Sequence, residues 1–190
     1  MTRILARLGV ANLAFLLAAL GLGLLSQARH GLERPDADST YLVHFCAGLF
    51  AVIFNLALHC LVFIYLLGTG RWVKEVALAY QLPDAPLPKE TRELKRQTFP
   101  PALLAMLVPI AAAAAGMGRQ WREWHWTVHL TLAVLSVLVN VWALRLEYRN
   151  VARNAAVIDE VMREVERIRS ARGLPTNEEA WRQQQAGGAG

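Results

Sequence analysis

Apolar positions gather into four long runs, at about residues 8–26, 41–68, 101–118 and 124–146, separated by polar segments. Each run approaches the ~20 residues that a helix needs to cross a bilayer. The pattern therefore predicts an all-α fold: a polytopic membrane protein with a four-transmembrane-helix bundle and cytoplasmic helical extensions. The first run carries Arg3 and Arg7 on its flank, as a signal peptide does, but it is long and lacks a clear small-x-small cleavage site before the polar sequence. It is expected to be a retained helix.

Between the second and third runs, Trp72, Val73, Val76 and Tyr80 recur at helical spacing until the stretch LPDAPLP stops them. Arg92, Lys95 and Arg96 follow, placed to meet headgroups. Beyond the fourth run the helical pattern continues. Val151, Ile158 and Val165 occupy one heptad position and Asn154, Val161 and Ile168 another, a coiled-coil-like seam. It can pair with a second copy of the chain or with the Trp72 helix of the same chain. Gly173 and Pro175 end it, and the remainder reads as disordered. The expected organisation is a transmembrane domain over residues 1–148, including a cytoplasmic loop at 69–100, then a cytoplasmic helix at 149–173 and a tail at 174–190.

The third run is rich in alanine and contains Pro109. Small residues four apart, Ala112 with Gly116 and Ala114 with Gly118, let helices approach closely in lipid. This helix is expected to be enclosed by the others and kinked where Pro109 removes a backbone hydrogen bond.

Polar residues interrupt the second and fourth runs at regular places. On a helical wheel His44, Gly48, Ala51, Asn55 and His59 form one stripe, and His125, His129, Ser136 and Asn140 form another. His44, Asn55 and His59 match His125, Ser136 and Asn140 at a constant offset of 81 residues, which hints at a duplicated helical hairpin.

Imidazoles from two facing helices are what haem b takes as axial ligands. The candidate ligands are His44 and His129, with His125 or His59 as substitutes, and Gly48 would leave room for the ring. A second haem would need His59 with Met106. Three imidazoles, His44, His125 and His129, could alternatively hold zinc or copper. The same residues also suit a purely structural role, with His44 bonded to His125 or His129, and Asn55 or His59 bonded to Ser136 or Asn140. Cys46 and Cys60 share the second run without a CxxC motif and are expected to be buried as small apolar residues.

Composition agrees with a membrane location: 55% of the 190 residues are hydrophobic and the mean hydropathy is +0.28. The net charge of +5 has a topological meaning. Sixteen of the twenty Lys and Arg precede the first run, lie between the second and third, or lie at or beyond the last residues of the fourth; only Arg29, Arg34, Arg119 and Arg122 do not. By the positive-inside rule both termini and the middle loop are cytoplasmic, in the inner (plasma) membrane. The charge is suited to anionic headgroups and does not call for nucleic acid.

The acidic residues sit outside the runs or at their ends, Glu123 and Glu147 being closest, which disfavours charged-solute transport. No Ser/His/Asp set or phosphate loop suggests an enzyme. The expected function is an accessory or scaffold subunit of a membrane assembly, joined to itself or to a larger complex through its cytoplasmic helices. The alternative is a small membrane b-type cytochrome, with bis-histidine haem b in electron transfer.

Overall fold

The computed structural model describes residues 1–30, 39–84, 86–122 and 124–187. Residues 31–38, including Arg34, and Glu123 lie outside the described residues, as do the side chains of Arg119, Trp121 and Arg122. Five helices make up the fold: α1 (Thr2–His30), α2 (Ser39–Ala79), α3 (Leu87–Arg122), α4 (Trp126–Ala171) and α5 (Asn177–Gly187). No strand occurs among the described residues. α1 to α4 are each long and apolar enough to cross a membrane. The apolar run at 41–68 and the Trp72 segment are one uninterrupted helix, as are the fourth run and the heptad segment.

The chain divides into two compact units, residues 1–65 with 96–151 and residues 66–95 with 152–190. The segment 69–95, expected as a loop of the first domain, thus belongs with the C-terminal residues. The first unit is a four-helix bundle whose outward face carries large apolar side chains such as Ile53, Leu103 and Leu138. A surface of that kind suits lipid rather than water. α3 is the most enclosed span, with 39% of its apolar window buried against 22% for α1 and α4. Ala102, Ala105, Ala112 and Ala115 line its inner side. Ala114, expected on a packing stripe, is exposed. Aromatic edges join α1 to α2, where Phe15 meets Phe50 and Phe54 at 4.9 and 5.0 Å, and α2 to α3, where Phe63 meets Phe99 at 4.6 Å.

Cys46 and Cys60 are both exposed, correcting the expectation that they are buried. Each lies off the inward stripe of α2, Cys46 two residues after His44 and Cys60 one after His59, so each points away from the bundle.

In the second unit Val73 of α2 packs with Val157, Val161 and Val165 of α4, ringed by Trp72, Val76, Tyr80, Leu87 and Ile158. The heptad seam is therefore satisfied within the chain. Its inner row advances by four residues, which is ordinary ridge-and-groove packing. Asn154 donates to Thr69 Oγ1 at 2.9 Å, and Arg153 pairs with Glu90.

Both long helices of this unit end in Schellman caps. Gln81 (φ 56°) ends α2 with Leu82 N–H on the Ala77 carbonyl at 2.8 Å, and Gly173 (φ 68°) ends α4 with Leu174 N–H on the Arg169 carbonyl at 3.0 Å. The tail expected without structure carries α5 instead. Thr176 and Glu179 close a capping box before it: Glu179 N–H donates to Thr176 Oγ1 and Thr176 N–H to Glu179 Oε2.

Candidate functional site: a facing imidazole pair and a buried polar network

In the first unit the inward stripes of α2 and α4 face each other and bring His44 and His129 together. Their ring centroids are 6.0 Å apart and their planes stand at 78°. Each ring is tied to a different neighbouring helix. His44 Nδ1 lies 3.0 Å from the carbonyl of Ala19 in α1, and His129 Nδ1 lies 2.8 Å from the carbonyl of Ala112 in α3. A carbonyl can only accept, so both Nδ1 atoms carry a hydrogen, and Nε2 of each ring keeps its lone pair whenever the ring is neutral. Neither Nε2 makes a hydrogen bond among the described residues.

Glycines allow this close seat. A Cβ built at Gly23 would lie 2.8 Å from His44 Cε1, and one at Gly116 would lie 3.2 Å from His129 Cε1. Gly23 and Gly116 stand one turn after the accepting residues Ala19 and Ala112, so each imidazole lies against the helix backbone that holds it. At Gly48, one turn along α2 from His44, a Cβ would meet nothing within 4 Å. The described residues leave the space at Gly48 itself unfilled.

The other two candidate ligands are placed elsewhere. His125 is exposed just before α4, where its Nδ1 contacts Thr127 Oγ1 at 2.8 Å. Among the described residues no group of three His, Cys, Asp or Glu side chains is positioned to hold a metal ion, so the three-imidazole set is not assembled. His59 is fully buried with both ring nitrogens engaged: Nδ1 is 2.7 Å from Glu147 Oε1 and Nε2 is 3.1 Å from Asn140 Oδ1. That leaves His59 no free nitrogen for a haem, with Met106 or otherwise.

His59 belongs to a second feature, a buried amide network that joins all four helices. Pro109 of α3 has no N–H to offer the carbonyl of Ala105 four residues earlier. Two asparagines serve that carbonyl instead, Asn55 Nδ2 at 2.9 Å and Asn140 Nδ2 at 3.2 Å. From α1, Asn12 Nδ2 donates to Asn55 Oδ1 and to Asn140 Oδ1, both at 3.0 Å. Asn140 Nδ2 also reaches the Ser136 carbonyl at 2.9 Å. The network ends at Glu147, which is 0% exposed. Its Oε1 meets His59, and its Oε2 has no partner.

Asn12 and Glu147 have no place in the sequence-based site, though the chain signals both. Asn12 is the lone amide in the first apolar run. Glu147 lies eighteen residues, five full turns, after His129 and so continues the stripe of His129, Ser136 and Asn140. Charge alone places it at the end of the span, but its burial and pairing place it inside the bundle.

The two hairpins correspond in this geometry. His129 follows His44, and Asn140 follows Asn55, at one interval of 85 residues. Ala112 and Gly116 follow Ala19 and Gly23 at one interval of 93. The structural offset between α2 and α4 is thus four residues longer than the 81 taken from the sequence, and His44 is matched by His129 rather than His125.

Scans of the chain against protein-family models, curated proteins and solved structures find no match.

Proposed function

We propose that the first unit binds one b-type haem between His44 and His129 and that the protein is a small membrane cytochrome passing single electrons. The observation that carries this reading is the 6.0 Å separation of the two rings with both Nδ1 atoms committed to backbone carbonyls. His44 and His129 would hold the haem iron through their Nε2 atoms, for which ring centres 6.0 Å apart would leave room, and the iron would supply a one-electron couple there. A carbonyl on the nitrogen that faces away from the metal is the usual means of orienting such a ligand. The open space beside Gly48 suits a flat macrocycle.

The accessory or scaffold reading needs an apolar seam available for assembly. Val73, Trp72, Val76 and Tyr80 of the same chain cover that seam, which favours the cytochrome. The distribution of Lys and Arg supports an inner-membrane orientation with both termini and the second unit in the cytoplasm, against anionic headgroups. The test is haem retention through detergent purification from cells supplied with haem. Wild type and His125→Ala are expected to retain haem, whereas His44→Ala and His129→Ala lose it. Equal haem content in all four proteins would place the cofactor elsewhere.

A further inference from the structure

The imidazole pair leaves unused the only ionisable side chains buried among the described residues, His59 and Glu147. Their hydrogen-bond partners fix how many protons they hold. Asn140 spends its amide nitrogen on the carbonyls of Ala105 and Ser136, so it presents Oδ1 to His59. His59 Nε2 must therefore be a donor. The 2.7 Å contact between His59 Nδ1 and Glu147 Oε1 then needs one more hydrogen between them. Whichever atom holds it, the pair is neutral as a unit. One position stays open, Glu147 Oε2, buried and without a hydrogen-bond partner.

We propose that His59 and Glu147 form a proton-loading site, which takes a second proton on Glu147 Oε2 when an electron enters at the His44–His129 centre. This rests on the haem reading. An added electron places a negative charge inside a low-dielectric bundle, where counterions do not reach and charges act over long distances. His59 is fifteen residues from His44 along α2, about 22 Å at 1.5 Å per residue. No other buried group among the described residues can answer that charge. By position along the chain, the ionisable side chains within a few turns of this pair include Arg3 and Arg7 of α1, Cys60 and Tyr65 of α2, Arg96 of α3, and Arg145, Tyr148 and Arg149 of α4. All except the half-buried Tyr65 are exposed. The contacts of the pair itself are those of His59 with Glu147 and Asn140, and Glu147 Oε2 has no hydrogen-bond partner.

The step balances simply. The electron would come from a quinol, which is left as its semiquinone, or from dithionite in the cuvette, which is left as sulfite, and would enter the centre held by His44 and His129. A hydronium ion gives its proton to Glu147 Oε2, forming one O–H bond and leaving water. Imidazolium then faces a neutral carboxylic acid.

The experiment is a redox titration of the detergent-purified full chain at a series of pH values, for wild type and Glu147→Gln. The glutamine side chain keeps the shape and can donate to His59 Nδ1, but cannot take the proton. In wild type the midpoint potential is expected to rise as the pH falls, through a single step that is lost in E147Q. The reduced-minus-oxidised infrared spectrum of wild type should also gain or shift a carboxylic-acid carbonyl band, a readout that stands even if E147Q does not fold. A wild-type midpoint independent of pH with no such band overturns the inference and leaves the cytochrome intact, as does a step that survives in E147Q. A chain without haem overturns both.

Discussion

Asn55 and Asn140, on different helices, donate to one carbonyl, that of Ala105, which Pro109 has released from the ladder of α3. The proline and the two asparagines are one device, since a freed carbonyl in an apolar bundle must find donors from elsewhere. The amides do unequal work. Losing Asn55 leaves one N–H of Asn12 without an acceptor, whereas losing Asn140 leaves an N–H of Asn12 and Nε2–H of His59. Unfolding in detergent should show Asn55→Leu costing about 1 kcal/mol and Asn140→Leu about 2–3 kcal/mol. Adding Pro109→Ala to the double asparagine variant should recover part of the loss by returning a donor to Ala105. Equal costs for the two single variants, with no recovery, would contradict the shared clamp.

The glycines under the imidazoles give a graded prediction. Gly23→Ala brings a Cβ to 2.8 Å from His44 Cε1, so that ring must move, while Gly116→Ala brings one to 3.2 Å from His129 and asks for a few tenths of an ångström. Haem content should fall further in Gly23→Ala than in Gly116→Ala. The reverse order would contradict the placement of His44 against α1.

The second unit is held by its valine cluster. Val161→Asp puts an unpaired carboxylate where the native side chain is 0% exposed, which costs several kcal/mol unless the unit opens. Limited proteolysis should then cut within residues 66–95 and 152–171 at least tenfold faster than in wild type. Because the cluster lies within one chain, the oligomeric state by light scattering should not change. Dissociation of an oligomer in place of faster cleavage would return the seam to an intermolecular role.

α5 offers a pH test. Its Glu179 carboxylate accepts the Thr176 N–H, and that bond, with the Thr176 hydroxyl, holds its pKa below the usual carboxylate value. With the folded pKa below the unfolded one, the contribution is complete above the unfolded value and is lost as the pH falls through the folded one. Hydrogen exchange of the α5 amides, taken relative to the unprotected rate at each pH, should be slowest near neutrality and speed up below about pH 4. Thr176→Ala should speed it at all pH values, with a cost of about 1 kcal/mol. Exchange unchanged by acid would show that the box does not hold this helix.

The apolar runs made four spans legible in the sequence, because length and charge depletion suffice for that. Pro109 was legible too, but not the atoms that answer it. The stripe on α4 places His125 and His129 on the same face one turn apart, so offsets of 81 and 85 residues both superpose the polar lines. Only the contacts with α1 and α3, His44 on Ala19 and His129 on Ala112, distinguish them. Glu147 was hidden because a formal charge reads as the end of a span, whereas an imidazole partner lets it lie inside. The α5 helix was legible in Thr176 and Glu179, three residues apart, and was obscured by the Gln- and Gly-rich composition around them.

Whether His44 and His129 hold a haem is read from the reduced-minus-oxidised visible spectrum of the detergent-purified full chain. The account predicts a sharp α band of the six-coordinate b type in wild type, lost or converted to a high-spin form in His44→Ala and in His129→Ala. A flat difference spectrum from wild type made with ample haem, or an unaltered band in both histidine variants, would contradict it.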